Sequence, residues 1–461
     1  MEEKMSSLIQ NLIELLEQKK FSQLKLLIND MMPADLALLF EELDKKDSVI
    51  VFRLLTKELA AETFAYLDSD SQRHLIDAIS DKEIHDVFDR MFLDDTVDII
   101  EEMPANVVTR ILNNTDAETR RHINDILHYP EDSAGSIMTI EYVNFRKDIT
   151  VAEAITKLRR EGSAKETVYT CYVTDNRVLI GLVEVSVLLT SPDDVLIENI
   201  METNVISVST HEDKEIVAKT FKKYGFISLP VVDNENRLVG IVTVDDAIDV
   251  IQEENAEDIS IMAAMEPIED SYFKTSVFAH AKKRIIWLLV LMISATVTGI
   301  IIQNYENAIS AFPILVSCIP MLMDTGGNSG SQSATMMIRG LALDEIHFSD
   351  IFRVIFKEFR ISIIVSAALS ATNYIRILVM YYLGILGDTG GQSVWLIAGI
   401  VSFSLIFVII IAKFIGCTLP LLANKIGLDP ALMASPIITT VVDACAVIIY
   451  FKIATSWLGL T

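Results

Sequence analysis

The stretch KKRIIWLLVLMISATVTGIIIQ, residues 282–303, decides the fold class. Three cations end at Arg284, and no charge follows until the stretch is over. A helix rises 1.5 Å per residue, so about 20 apolar residues cross the hydrocarbon of a bilayer. Downstream, the runs 309–338, 361–384, 395–423 and 431–456 repeat the pattern, predicting a five-helix transmembrane domain over 281–461. The second and fourth are long enough to tilt or to extend beyond the membrane.

Basic residues give the orientation. Lys282, Lys283 and Arg284 precede the first run, Arg339, Arg353, Lys357 and Arg360 lie between the second and third, and Lys425 lies between the fourth and fifth. The intervening loops, 304–308 and 385–394, have no Lys or Arg. The positive-inside rule therefore puts the first 284 residues in the cytosol and the C-terminus outside. Glu2 and Glu3 make the N-terminus too acidic for a signal peptide, so the first half is expected to stay where it is made.

A chain of 461 residues predicts about three domains, and the charge is unevenly divided among them. Only eight of 38 Lys and Arg and nine of 64 Asp and Glu follow Arg284, so nearly all of the net charge of −26 sits on the N-terminal part. Such a surface repels nucleic acid and anionic lipid and concentrates cations; it is also simply a soluble one. Cys171, Cys318, Cys417 and Cys445 form no CxxC pair, which suggests neither a zinc site nor a disulfide frame.

Two places interrupt the apolar runs. In the second, Pro320 is followed by Asp324-Thr325-Gly326-Gly327-Asn328-Ser329-Gly330-Ser331-Gln332-Ser333, where glycines permit close helix approach and Asn328 and Gln332 share a helical face. The same composition describes helix contacts glued by polar groups. In the fifth, Thr439, Thr440 and Asp443 lie between Ile437 and Tyr450. A carboxylate there costs roughly 2.5–3.5 kcal/mol on insertion scales, so it must meet water, an ion or a partner. Lys413 and Arg376 are candidate ion-pair partners for it, or equally side chains that snorkel towards an interface.

Residues 1–130 read as short amphipathic helices, among them Leu36–Leu43, Val49–Leu55, Glu58–Leu67, Ser71–Ala78 and Ala105–Leu112, with starts marked at Met32-Pro33 and Met103-Pro104. The spacing is irregular but repetitive, which predicts a wound helical stack rather than a bundle. A second repeat follows. Ile137-Met138 recurs at Ile200-Met201, Val151–Leu158 aligns with Lys214–Phe221, Tyr172-Val173 with Val231-Val232, and Leu179–Val183 with Val239–Val242. Each copy predicts strand–helix–strand–strand–helix, too small to bury a core alone, so the copies pair.

Carboxylates cluster at Asp94, Asp95, Asp98, Glu101 and Glu102, and again at Asp245, Asp246, Asp249, Glu253, Glu254, Glu257 and Asp258. Asp246, Asp249 and Glu253 fall on one helix face, with Glu254, Glu257 and Asp258 beside it. One such run is commonly a solvated face. Two runs without an accompanying thiolate or histidine cluster favour a hard, oxygen-liking cation such as Mg²⁺ or Ca²⁺.

The paired repeat resembles a tandem CBS module. In that family Gly-x-x-[Thr/Ser]-x-x-Asp contacts an adenosine ribose; here the second copy has Gly240, Thr243 and Asp246, and the first has Gly181, Glu184 and Val187 instead. The resemblance thus implies at most one nucleotide site, for ATP, at Thr243 and Asp246. The whole order of parts, with Tyr129-Pro130-Glu131-Asp132-Ser133-Ala134-Gly135, the Pro320…Gly326-Gly327-Asn328…Gln332 run and Asp429-Pro430-Ala431…Thr439-Thr440…Asp443, resembles the MgtE family of magnesium channels. It implies a multidomain membrane protein: an all-α superhelical N-domain at 1–131, CBS copies at 132–199 and 200–253, a connecting helix at 254–280, and the five spans.

The resemblance further implies a homodimer in the plasma or inner membrane, taking up Mg²⁺ under the membrane potential. Asp443 would hold a hydrated ion, and Gly326, Gly327, Asn328, Gln332, Ala431, Thr439 and Thr440 would line the path. Regulatory Mg²⁺ at Asp94, Asp95, Asp98, Glu215, Asp246, Asp249, Glu254, Glu257, Asp258 and Asp429 would close it. Asp324 departs from the family pattern, an acid where some relatives carry a small neutral residue; it either adds a second carboxylate near the path or lies at a helix interface. The absence of GxxxxGK[ST] argues against an ATP-driven pump. A coupled exchanger using the same Asp443 and a membrane-anchored receptor are the competing classes.

Overall fold

A computed structural model describes residues 2–268, 272, 275–385 and 391–459, which fall into two compact units, Met1–Ile251 and Gln252–Thr461.

The N-terminal unit begins with ten helices: α1 (Glu2–Glu17), α2 (Phe21–Ile28), α3 (Pro33–Glu42), α4 (Lys45–Leu54), α5 (Lys57–Ala65), α6 (Ser69–Ala78), α7 (Asp81–Phe88), α8 (Leu93–Glu102), α9 (Ala105–Asn114) and α10 (Ala117–Ile126). Their N-caps are Lys20, Met32, Asp44, Thr56, Asp68, Ser80, Phe92, Pro104 and Asp116, one every twelve residues. The spacing that looked irregular in the sequence is therefore strictly periodic. Asp44, Thr56, Asp68, Ser80 and Asp116 each accept hydrogen bonds from the first-turn backbone, satisfying donors that a helix start leaves open. Helices two apart touch, α3 with α5, α5 with α7, α7 with α9. Phe40, Phe52, Phe64 and Phe88 follow the same period and stack edge to face at 6.3, 5.9 and 5.9 Å.

Two copies of one α/β motif follow. The first is β1 (Asn144–Arg146), α11 (Val151–Glu161), β2 (Thr170–Asp175), β3 (Val178–Glu184) and α12 (Val185–Thr190). The second is β4 (Val208–Ser209), α13 (Lys214–Tyr224), β5 (Ser228–Val232), β6 (Leu238–Thr243) and α14 (Val244–Met262). In each sheet the first pair is parallel and the second antiparallel, with a register shift at the same relative place, Val173/Thr174 and Val231/Val232. The copies join where the Tyr172 hydroxyl meets Ser228 Oγ at 2.8 Å and where Thr139 and Ile241 exchange backbone hydrogen bonds. The segment Ser133-Ala134-Gly135 is buried against the second copy, Ala134 N donating to Glu212 O and Gly135 N to Thr210 O. A Cβ on Gly135 would lie 2.5 Å from Tyr129 and 2.8 Å from Thr210 O, so only glycine fits.

The C-terminal unit holds α15 (Val277–Gln303), α16 (Glu306–Ala311), α17 (Ile314–Ala342), α18 (Ile351–Tyr382), α19 (Val394–Lys425) and α20 (Ser435–Leu458). Four described segments, Val277–Gln303, Phe348–Tyr382, Val394–Lys425 and Pro430–Leu458, are long and apolar enough to cross a membrane. With 29 residues α17 has the length of a fifth and owes its lower apolarity to the polar run after Met323. Helix α19 is the hub, packing on α17, α18 and α20. Small residues set these contacts: Ser362, Ser366 and Ser370 are buried one turn apart on α18, where Asn373 Nδ2 donates to Ser402 Oγ of α19 at 3.1 Å.

The expected connecting helix, 254–280, differs in form. Its first part is the end of α14, which stops at Met262, and its last residues belong to α15; residues 269–271, 273 and 274 lie outside the described ones. So do 386–390 of the loop read as facing outside.

Candidate cation sites

In the N-terminal unit, α8 carries Asp94 and Asp95 in its first turn, where carboxylates complement the helix dipole, and Asp98 one turn on. Helix α14 carries Asp245 and Asp246 in its own first turn. Thr243 Oγ1 donates to Asp246 Oδ2 at 2.6 Å and Thr243 N to the same oxygen at 3.1 Å, which caps that helix. Two further acids complete the group. Glu166 N donates to Glu141 O at 2.9 Å, bringing their loops together, and Glu141 Oε2 accepts from Leu93 N at 3.0 Å. Carboxylate oxygens of Asp94, Glu141 and Glu166 all lie within 4.8 Å of one another.

Among the described residues, no ion pair with Lys, Arg or His offsets this crowd of Asp94, Asp95, Asp98, Glu141, Glu166, Asp245 and Asp246. Glu166 Oε2 is buried with no hydrogen-bond partner. Burial, then the neighbouring acids, pushes Asp95 up to about 6, Asp98 to about 7 and Glu166 to about 8. Burial raises Asp246 to about 7 against the lowering effect of its Thr243 hydrogen bond. Asp94, the most enclosed, stands well above the usual carboxylate range through burial and the charge of Asp246. Acids that resist ionisation this strongly are acids that gain from a divalent cation.

Of the other expected metal residues, Glu215 is paired with Lys219 at 2.6 Å. Asp249 is exposed on α14, and Glu254, Glu257 and Asp258 occupy that helix's second half. Asp429 Oδ1 accepts from Ala431 N at 2.8 Å and caps the short 3-10 turn Pro430–Met433. Glu141 and Glu166 were not singled out in the sequence. They lie 25 residues apart in loops, and only chain folding unites them.

In the C-terminal unit, α17 presents Asp324, Asn328, Gln332 and Thr335 as an exposed polar stripe at helical spacing, Asn328 Nδ2 donating to Asp324 Oδ1 at 3.1 Å. The opposite side is packed closely against α19 and α20. Gly326, Gly327 and Gly330 are buried; a Cβ on Gly326 would meet Val408 at 2.7 Å, and one on Gly327 would meet Thr439 at 2.9 Å. Ala431 is buried as well. Of the expected lining residues, Gly326, Gly327 and Ala431 thus sit in packed contacts, while Asn328 and Gln332 are on the open face. On α20, Thr439, Thr440 and Asp443 are partly exposed, and both threonine hydroxyls donate to Pro436 O. The Asp443 carboxyl is within electrostatic range of Asp324.

The expected cation partners of Asp443 are engaged elsewhere. Lys413 is 3.7 Å from Glu358 and donates to Ser333 Oγ at 3.1 Å, and the Arg376 guanidinium donates to Asn373 Oδ1 at 2.8 and 3.2 Å. Sequence position on α19 and α18 does not reveal which way these long side chains turn. Asp443 is left without a Lys, Arg or His partner among the described residues.

Comparison with known proteins agrees with this layout. A family model described as a divalent cation transporter matches residues 319–453, one for the MgtE intracellular N domain matches 31–132, and a CBS-domain model matches 197–253. The magnesium transporter MgtE of Thermus thermophilus is 33% identical over 459 residues, 98% of each chain. MgtE of Bacillus subtilis is 31% identical over 452 residues, covering 98% of this chain and 97% of that one. Among solved structures, the soluble part of a magnesium transporter aligns with a TM-score of 0.52 at 30% identity, over 55% of this chain and all of that one. The cytosolic domain of the Mg²⁺ channel MgtE in complex with ATP aligns at 0.50 and 34% identity, over 52% of this chain and 99% of that one. With likeness running almost end to end through a helical N-domain, a paired α/β module and apolar helices, the chain belongs to the MgtE family of divalent cation transporters.

Proposed function

We propose that this chain conducts Mg²⁺ passively across the plasma or inner membrane, driven by the membrane potential, along a path bordered by α17 and α20. The observation that carries the reading is Asp443, an acid in a span-length apolar helix with no resident cation beside it among the described residues. An unpaired carboxylate at that depth is stable only against water or an ion. Mg²⁺ dehydrates reluctantly, so one carboxylate acting through water selects the ion and still releases it. Asn328, Gln332, Thr439 and Thr440 supply neutral oxygens for the hydration shell, and the buried glycines let the helices close. A second copy of the chain completes the path in a homodimer.

The N-terminal unit, in this reading, is cytosolic and holds regulatory Mg²⁺ among Asp94, Asp95, Asp98, Glu141, Glu166 and Asp246, so that plentiful Mg²⁺ closes the path. Its metal-free carboxylates repel one another, and a bound cation removes that cost. ATP binds near Thr243 and Asp246 of the second α/β copy, and the C-terminus faces outside.

Flux of Mg²⁺ into liposomes holding the full chain tests the reading. Asp443→Ala is expected to abolish entry while protein and dimer persist, with wild-type entry continuing in the absence of sodium or proton gradients. Unchanged entry in Asp443→Ala removes the path assignment; dependence on a second ion's gradient makes the protein an exchanger.

A further inference from the structure

Glu358 and Lys413 belong to no step of the proposed path, yet both are buried, at 8% and 5% exposure, in helices of membrane-spanning length. They meet across three helices. Ser333 Oγ of α17 donates to Glu358 Oε2 of α18 at 2.7 Å, and Lys413 Nζ of α19 donates to Ser333 Oγ at 3.1 Å, with 3.7 Å between the charges. Beside the pair lies a cleft of about 470 Å³ whose other walls are phenylalanines and isoleucines, among them Phe356, Phe359, Ile410 and Phe414. In such surroundings a lone charge is far costlier than a pair, and hydrogen bonds to charged groups are the strong kind.

The place of the triad is as telling as its chemistry. One turn before Ser333 is Gly330, and one turn after Lys413 is Gly416; a Cβ on Gly416 would lie 2.2 Å from Gly330 O. Glycine contact therefore fixes how near α17 and α19 come, but leaves them free to slide. Three oriented hydrogen-bonding side chains do not, because a slip of one turn, about 5.4 Å, breaks every bond in the set. Gln332 is the residue next to Ser333, and Asn328 lies one turn from it on the exposed stripe. A helix moves as a body, so whatever fixes Ser333 fixes that stripe.

We propose that Ser333, Glu358 and Lys413 form a positioning triad that sets the register of α17 against α18 and α19, and through it the rate and ion preference of transport. The proposal rests on α17 bordering the cation path. Ser333 carries no charge and bridges the other two, so its removal loosens register without stranding a charge.

The test compares initial rates of Mg²⁺ and Co²⁺ entry into liposomes holding the full chain, per inserted protein, together with thermal midpoints in detergent. Ser333→Ala is expected to lower Mg²⁺ entry about fivefold and to change the Mg²⁺/Co²⁺ ratio about threefold, with a midpoint lowered less than in the charge-stranding variants. Lys413→Gln and Glu358→Gln, each stranding a charge, are expected to lose more than about tenfold, and the double variant to recover part of it. If either single variant fails to insert, Ser333→Ala and the double variant decide. Wild-type rates and ion ratio in both Ser333→Ala and the double variant overturn the proposal and leave the triad a folding lock. Asp443→Asn, measured alongside, separates the two readings: its failure to reduce flux with a changed ratio in Ser333→Ala removes the Asp443 assignment and keeps the triad. Loss of flux in Asp443→Asn with no effect of the triad variants does the reverse.

Discussion

Glu166 and Glu358 are both carboxylates withdrawn from water, and their surroundings differ in kind. Glu358 has a lysine within 4 Å and a serine hydroxyl on its oxygen. Glu166 has other acids for neighbours and an oxygen with no partner. Burying a charge without compensation costs several kcal/mol, so each site needs a positive charge from somewhere. The C-terminal unit has built one into α19. The N-terminal unit has none paired with Glu166 among the described residues, which in the proposed function leaves the place to protons or to an exchangeable ion. A resident cation makes a fixed structure, and an exchangeable one makes a structure that depends on ion concentration.

The contrast is broken most directly at Lys413. Lys413→Met strands Glu358 and is expected to destabilise the C-terminal unit by about 3–5 kcal/mol, read from denaturation midpoints, with no rescue by added Mg²⁺. The N-terminal unit is expected to respond in the opposite way. Its acids bind protons more tightly folded than unfolded, so without metal its stability falls as pH rises from about 4 through the values near 6, 7 and 8 of Asp95, Asp98 and Glu166. In the proposed function Mg²⁺ competes with those protons. Hydrogen exchange of the full chain should therefore show Mg²⁺ protecting residues of α8 strongly at pH 8 and hardly at pH 5; equal protection at both would mean the acids hold no ion.

Away from both sites, Ser80→Ala removes a capping box and is expected to cost about 1 kcal/mol, local to α7 and independent of Mg²⁺. A smaller change sharpens the contrast itself. Asp98→Asn relieves repulsion at a solvent-exposed position and, after screening by water, is expected to stabilise the metal-free N-terminal unit by no more than about 0.5 kcal/mol while weakening protection by Mg²⁺.

Much of the architecture was legible because it rests on periodicity. Apolar runs of span length, the repeated α/β unit and the helix starts at Pro33 and after Pro104 are all local patterns that folding preserves. The twelve-residue period was hidden for a physical reason. Its caps at Met32, Phe92 and Pro104 make no side-chain hydrogen bond, so residue type varies while position does not. The acids of α8 and α14 stood out as runs. Glu141 and Glu166 did not, since a loop contact unites them, and Glu358 was masked as one more acid between Lys357 and Arg360. Lys413 pairs with Glu358 rather than with its candidate partner Asp443, because helix rotation is a property of packing.

The capped period of α2 to α10 has one more consequence. Each helix and its cap form a cell of fixed length that touches neighbours two or three cells away. Such an array grows or shrinks in whole cells. Removing residues 57–68 would close Thr56 onto Ser69 with every later cap still in step, whereas removing one residue fewer would throw all of them out of phase. Length changes that keep this array in register therefore come in steps of twelve, and only such steps carry the acids of α8 nearer to or farther from the chain's start with every cap in place.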